Sequence, residues 1–99
     1  MRILIAAAAL LTLAAPAAAQ SPNRLTLADP ASAPSGRTII DGASWSCDEA
    51  GQCVANGGRS QPATRACRRA VARLGPVTAF AWKGTELDAA QLAECNAAA

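Results

Sequence analysis

The stretch from Ser60 to Pro76, SQPATRACRRAVARLGP, constrains the fold most, because it has the pattern of one amphipathic helix. Its apolar residues recur at three- and four-residue steps, as on one face of an α-helix. Gly75 followed by Pro76 marks the end of that helix. The apolar face is mostly alanine, so burial alone would hold it weakly, and Cys67 in its middle is expected to anchor it. The face consists of Ala63, Ala66, Cys67, Ala70, Val71 and Leu74.

Residues 1–19 have the pattern of a secretory signal peptide. A positive Met1-Arg2 start precedes an apolar run, and Ala17-Ala18-Ala19 matches a processing site. We expect cleavage after Ala19 and a periplasmic or secreted protein with no membrane span, because the run is too short to cross a bilayer. The alternative is a buried N-terminal helix. Removing the segment takes away one charge, Arg2, so the formal charge falls from +2 to +1, and we expect no nucleic-acid partner.

Three further segments follow the signal peptide. Residues 20–36 are rich in Pro, Ser and Ala and show no periodicity, which predicts a flexible arm. Residues 37–96 make the folded domain, and residues 97–99 are a C-terminal tail. A domain this small buries too little surface to fold comfortably without covalent cross-links.

The first half of the domain predicts a β-hairpin. Residues 37–47 have the pattern of a strand bent at Gly42, and residues 53–55 have that of the returning strand. Trp45 and Cys47 lie two positions apart and therefore share one face of the strand.

The second half adds a strand and a helix. Residues 77–82 (VTAFAW) predict a strand, followed by a tight turn at Lys83-Gly84. Asp88 and Gln91 are spaced as a capping box that starts a second helix, which runs to about residue 96. The predicted order is ββαβα. We expect a small α+β domain with a short antiparallel sheet, its third strand beside the first and both helices on one face.

Four cysteines in a short exported chain predict a disulfide framework. The hairpin favours the pair Cys47–Cys53, because it places these two side chains opposite each other. Cys67–Cys95 would then tie the two predicted helices together.

The cysteines could also bind a metal or respond to redox conditions. A zinc site is disfavoured because there is no histidine and the intervening spacings of five, thirteen and twenty-seven residues contain no C-x-x-C pair. We expect no metal and no cofactor. A redox-responsive bridge at Cys47–Cys53 remains the alternative function, because bridges that close short loops can be more easily reduced.

The combined pattern W-x-C-x5-C, P-x4-C, LGPV and L-x2-CN resembles a family of small exported proteobacterial proteins that have a signal peptide, four cysteines and no assigned activity. The resemblance covers about residues 38–96. It implies a secreted, disulfide-bonded domain of unknown function and brings no catalytic or ligand residues. It is carried by Trp45, Cys47, Cys53, Pro62, Cys67, Leu74-Gly75-Pro76-Val77, Phe80, Leu92 and Cys95-Asn96.

This chain has few of the side chains that enzymes commonly use for catalysis. There is no histidine or tyrosine, and no serine has a base near it in the pattern. The carboxylates fall on predicted turns and caps, and nothing in their spacing forms an opposed acid pair. We therefore expect no catalytic residues and a non-catalytic binding or interaction module. These carboxylates are Asp41, Asp48, Glu49, Glu86, Asp88 and Glu94.

Two features are candidates for a binding surface. The basic face of the central helix could bind an envelope protein or another anionic envelope component; the alternative is a solvated face paired with Glu86 and Glu94. Trp82, expected to be partly exposed at a strand end, could bind a carbohydrate or peptide or could simply pack. The basic face consists of Arg65, Arg68, Arg69 and Arg73.

Overall fold

The computed structural model describes residues 21–99, and the predicted signal peptide lies outside them. Six strands form one antiparallel sheet in the order β2-β3-β4-β1-β5-β6, and two helices complete a small α+β domain, as predicted. The helices contact each other and both contact β5. The elements are β1 (Arg24–Leu27), β2 (Thr38–Ile40), β3 (Ala43–Cys47), β4 (Gln52–Gly57), α1 (Ala63–Leu74), β5 (Val77–Trp82), β6 (Thr85–Glu86) and α2 (Ala89–Asn96).

The central strand β1 lies within the segment predicted to be a flexible arm, so that prediction is wrong for residues 24–27. β1 pairs with β4 on one side and with β5 on the other. Its sequence R-L-T-L alternates, and both Leu25 and Leu27 are buried in the core. Because β1 occupies the centre, β5 lies beside β1 and not beside the strand at residues 37–47.

Residues 37–47 form two strands, not one bent strand. Asp41 and Gly42 have φ values of +50° and +79° and make a two-residue turn between β2 and β3. A turn with positive φ at both positions matches the right-handed twist of a hairpin, and Asp-Gly is a favoured pair for it. The prediction of a bend at Gly42 missed this hairpin.

The hairpin of β3 and β4 has the predicted register. Cys47 lies directly opposite Cys53, and Trp45 lies opposite Ala55. The predicted disulfide Cys47–Cys53 is confirmed, with a Cα–Cα distance of 4.0 Å.

The two helices are linked by the second predicted disulfide. Cys67 and Cys95 are bonded with their Cα atoms 5.9 Å apart, and both are buried. The six apolar residues of the predicted helix face are all buried in α1. The helix α2 begins with the predicted capping box, in which the Asp88 side chain accepts from the Gln91 amide and the Gln91 side chain accepts from the Asp88 amide.

Trp82 belongs to the core, so the expectation of a partly exposed side chain is wrong. Its side chain packs against Trp45, with ring centroids 6.3 Å apart, and the residue is 3% exposed. Its indole N–H donates to the Arg59 carbonyl at 3.1 Å. Gly58 lies under the ring, where a Cβ atom would come within 2.4 Å of it. Trp82 therefore holds the loop that leads into α1, and its buried ring offers no surface for a ligand.

Candidate functional site

A groove lies between the outer face of α1 and the hairpin of β2 and β3, with a volume of about 410 Å³. We call it the basic groove. Three of its side chains are arginines of α1, and the edge strand β2 forms its other wall. Its lining consists of Ile39, Ile40, Asp41, Arg68, Arg69, Ala72 and Arg73.

A second hollow of about 200 Å³ continues the surface toward the start of α1. It shares Asp41 and Arg69 with the basic groove, so these two residues separate the hollows. Together the two hollows are lined by five arginines and by a single carboxylate, that of Asp41, which leaves an excess of positive charge along this side of α1. The lining of the second hollow is Asp41, Arg59, Ser60, Gln61, Arg65 and Arg69.

Asp41 is held by Arg69 in an ion pair with an N–O distance of 2.6 Å. The Asp41 side chain is only 9% exposed, whereas that of Arg69 is 54% exposed. Gln61 also donates a weaker hydrogen bond to the Asp41 carboxylate at 3.4 Å. One of the four arginines of the predicted basic face therefore serves to fasten the β2–β3 turn to α1.

The electrostatics of this contact lower the pKa of Asp41 from its ordinary value. The hydrogen bond from Arg69 contributes most, followed by that from Gln61 and the charges of Arg69 and Arg59, while partial burial acts in the opposite direction. The ionised form of Asp41 is thus the form that the fold stabilises.

We expect Asp41 to make the stability of the fold depend on pH. A carboxyl group whose pKa is lower in the folded state stabilises the fold above its unfolded pKa and loses that contribution as the pH falls. Unfolding by urea should therefore need less denaturant as the pH drops below about 4, the ordinary range of an aspartate. Asp41→Asn should unfold earlier than wild type at pH 7 and show a smaller decline in acid.

The control is Glu94→Gln, which removes an exposed carboxylate of α2 and should leave the urea midpoint at pH 7 unchanged. An Asp41→Asn variant whose midpoint follows the wild-type curve at every pH would contradict the assigned role of the ion pair.

The remaining arginines of the basic face are exposed and lie outside ion pairs. Among residues 21–99 the two ion pairs are Arg69–Asp41 and Arg24–Glu86, the latter at 3.9 Å. The expected pairing of this face with Glu86 and Glu94 is therefore not found within the described residues, whereas a solvated face remains the alternative to a binding surface. The three unpaired arginines are Arg65, Arg68 and Arg73.

Ile39 is the feature of this surface that the sequence interpretation missed. It is 66% exposed and is the one exposed large hydrophobic residue in the described part of the chain. A strand with alternating burial predicts that Ile39 and Ile40 point to opposite faces, but only the hairpin geometry reveals which one faces the solvent.

The cysteines offer no thiol in the described residues, because all four are bonded. Cys47 is half-buried, whereas its partner Cys53 and both residues of the other bridge are buried. Within residues 21–99 no three side chains are grouped in a way that could hold a metal ion. The redox alternative remains a prediction.

Comparison with known proteins places the chain in a family. A family model described as a family of unknown function, DUF8200, matches residues 6–97. The chain belongs to this family. The resemblance in the sequence is confirmed in part: the family is one of unknown function, and the chain has four cysteines. The motif pattern and a proteobacterial origin stay predictions. No curated protein matches the chain, and no solved structure matches it.

None of the helices in residues 21–99 of this DUF8200 chain is both long enough and apolar enough to cross a membrane. Two disulfides in so small a domain are consistent with an oxidising compartment outside the cytoplasm.

Proposed function

We propose that this protein is an exported, non-catalytic binding module that holds an acidic segment of an envelope protein in the basic groove. The observation that carries the proposal is that Arg65, Arg68 and Arg73 are exposed beside concave surfaces and form no ion pair within the described residues. Charges that are neither paired nor needed for folding are available to a partner.

The shape of the site supports a protein segment over a lipid surface. The charges of Arg68 and Arg73 border a groove between a helix and a strand edge. A polypeptide can enter such a groove, whereas a flat bilayer would meet only its rim. The predicted signal peptide and the two disulfides support an extracytoplasmic place for this binding.

The experiment uses poly-L-glutamate as the probe and the protein purified with both disulfides formed. Charge reversal at Arg65, Arg68 or Arg73 should each weaken binding about fivefold at low salt, because each variant turns an attraction into a repulsion. The melting temperatures of Arg65→Glu and Arg68→Glu should change little, since these side chains are exposed and unpaired. Arg73→Glu should melt slightly lower, because it places a negative charge in the last turn of α1. Arg69 is left intact because it holds Asp41.

Lys83→Glu is the matched control, since it changes the net charge equally at an exposed turn between β5 and β6. It should weaken binding less than about twofold, because Lys83 lines neither the basic groove nor the second hollow. Equal losses in all four variants would mean that the probe responds to net charge alone, which would contradict the proposal. Binding to anionic lipid vesicles but not to poly-L-glutamate would also contradict it.

A further inference from the structure

The edge strand β2 borders the basic groove and has no strand on its outer side within the described residues. Proteins usually protect such an edge by making it very short or by placing charges and prolines on it. The opposite edge, β6, has only two residues, both exposed, and one of them is Glu86. By contrast β2 reads Thr-Ile-Ile, three β-branched residues with no charge or proline.

Ile39 presents the free backbone groups of this edge. Ile40 and Ala43 flank the two-residue turn and form the pair that exchanges hydrogen bonds between β2 and β3. Because hydrogen-bonded and non-hydrogen-bonded pairs alternate along an antiparallel ladder, the N–H and C=O of Ile39 point away from β3. Ile39 lines the basic groove, so a donor and an acceptor are available there.

The two faces at this edge differ in chemistry. Ile40 is buried and lines the basic groove together with Arg68 and Arg73. Because side chains alternate along a strand, the exposed side chain of Ile39 points to the opposite face of the sheet. A strand added to β2 would send alternate side chains to these two faces. Carboxylates at every second position would meet the arginines, and apolar side chains between them would lie beside Ile39.

We propose that an extended acidic segment of a protein partner adds to β2 as a seventh, antiparallel strand. Its main chain exchanges hydrogen bonds with Ile39, and its acidic side chains face Arg68 and Arg73. This inference rests on the proposed function and adds to it the conformation and the alternating sequence pattern of the bound segment.

Charge argues against a second copy of this chain as the occupant. A symmetric antiparallel pairing of two β2 edges would form one continuous sheet with both α1 helices on the same side of it. Arg68 and Arg73 of each copy would then face the same positive residues of the other, which is unfavourable. An acidic strand removes that repulsion.

The test compares two N-methylated forms of the peptide Glu-Val-Glu-Val-Glu-Val-Glu by fluorescence anisotropy. In the proposed arrangement one valine lies opposite Ile39. The N–H groups of the valines point toward β2, and those of the glutamates point to solvent. Methylation of the valine nitrogens should weaken binding by about tenfold or more, because it removes the hydrogen bond and inserts a methyl group. Methylation of the glutamate nitrogens should change it little, and any other ranking of the two peptides overturns the proposal.

The protein variant Ile39→Pro gives the reciprocal test. It removes the outward N–H while leaving the hydrogen bonds of the Ile40–Ala43 pair, and proline is tolerated on edge strands. It should weaken binding of the unmethylated peptide about tenfold, whereas Ile39→Val should bind nearly as well as wild type. The methylated peptides with wild-type protein remain decisive if Ile39→Pro fails to fold.

The outcomes separate this inference from the proposed function. Equal binding of both methylated peptides, together with losses for Arg68→Glu and Arg73→Glu, would retain acidic binding and reject strand addition. Binding that is indifferent to the arginines would reject the proposed function itself. Dimerisation of the free protein that is lost in Ile39→Pro would reject the acidic segment as the occupant.

Discussion

Gly58→Ala should lower the free energy of unfolding by about 2–5 kcal/mol. Two costs add at this position. Gly58 has a φ of +101°, a conformation that costs a residue with a Cβ about 1–2 kcal/mol. The new methyl group would also lie 2.4 Å from the Trp82 ring and 3.0 Å from the Ala43 Cβ. Overpacking of this kind costs about 1–3 kcal/mol, because Trp82 is held between Gly58 and Trp45.

Gly84→Ala separates the two costs. Gly84 has a φ of +86°, but nothing lies within 4 Å of the position of its Cβ. This variant should lose about 1–2 kcal/mol, the conformational part alone. Urea unfolding followed by tryptophan fluorescence measures both. Equal losses in the two variants would contradict the close packing of Trp82 on Gly58.

Removal of the disulfide Cys67–Cys95 should cost more stability than removal of Cys47–Cys53. The two bridges close loops with sequence separations of 28 and 6 residues. In the chain-entropy model these loops correspond to about 3.6 and 2.3 kcal/mol of stabilisation. The longer bridge also joins α1, whose buried face is mostly alanine, to α2, whose single buried residue is Cys95. In Cys67→Ala/Cys95→Ala we therefore expect α2 to detach from the domain and unfold at ordinary temperature.

The comparison variant is Cys47→Ala/Cys53→Ala, which retains the ladder between β3 and β4. It should stay folded with a lower urea midpoint. Circular dichroism and urea unfolding of the two double variants give the ranking, and the reverse ranking would contradict the account of what holds the helices on the sheet.

Local patterns explain why the hairpin, the helices and both disulfides could be predicted. The register of β3 and β4 follows from the alternation of Trp45 and Cys47 and from a turn that returns the chain to Cys53. The start of α2 follows from the spacing of Asp88 and Gln91. Each of these signals lies within a few residues of the structure that it specifies.

The strand β1 could not be predicted in the same way, because its partners lie far away in sequence. Leu25 lies opposite Cys53 on one side and opposite Phe80 on the other. Four residues between prolines give little local signal, and their burial depends on strands that come later in the chain. The buried side chain of Asn23 secures the start of β1 by donating to the Gly57 carbonyl and accepting from the Lys83 amide.

The basic surface was predicted in part. The periodicity of α1 places its arginines on one face, and that placement needs no tertiary information. The periodicity cannot reveal that Arg69 forms an ion pair with Asp41 or that Ile39 borders the groove. Both depend on how the β2–β3 hairpin packs against α1. The burial of Trp82 likewise depends on the close approach of Gly58.

We propose above all that this protein binds an acidic chain in the basic groove. The most direct test is to record the backbone amide spectrum of isotope-labelled protein while the Glu-Val peptide is added. We expect the amide signals of Ile39, Arg68 and Arg73 to move together and to saturate at one peptide per protein. Signals that move only at the Lys83-Gly84 turn, or that do not move at all, would contradict it.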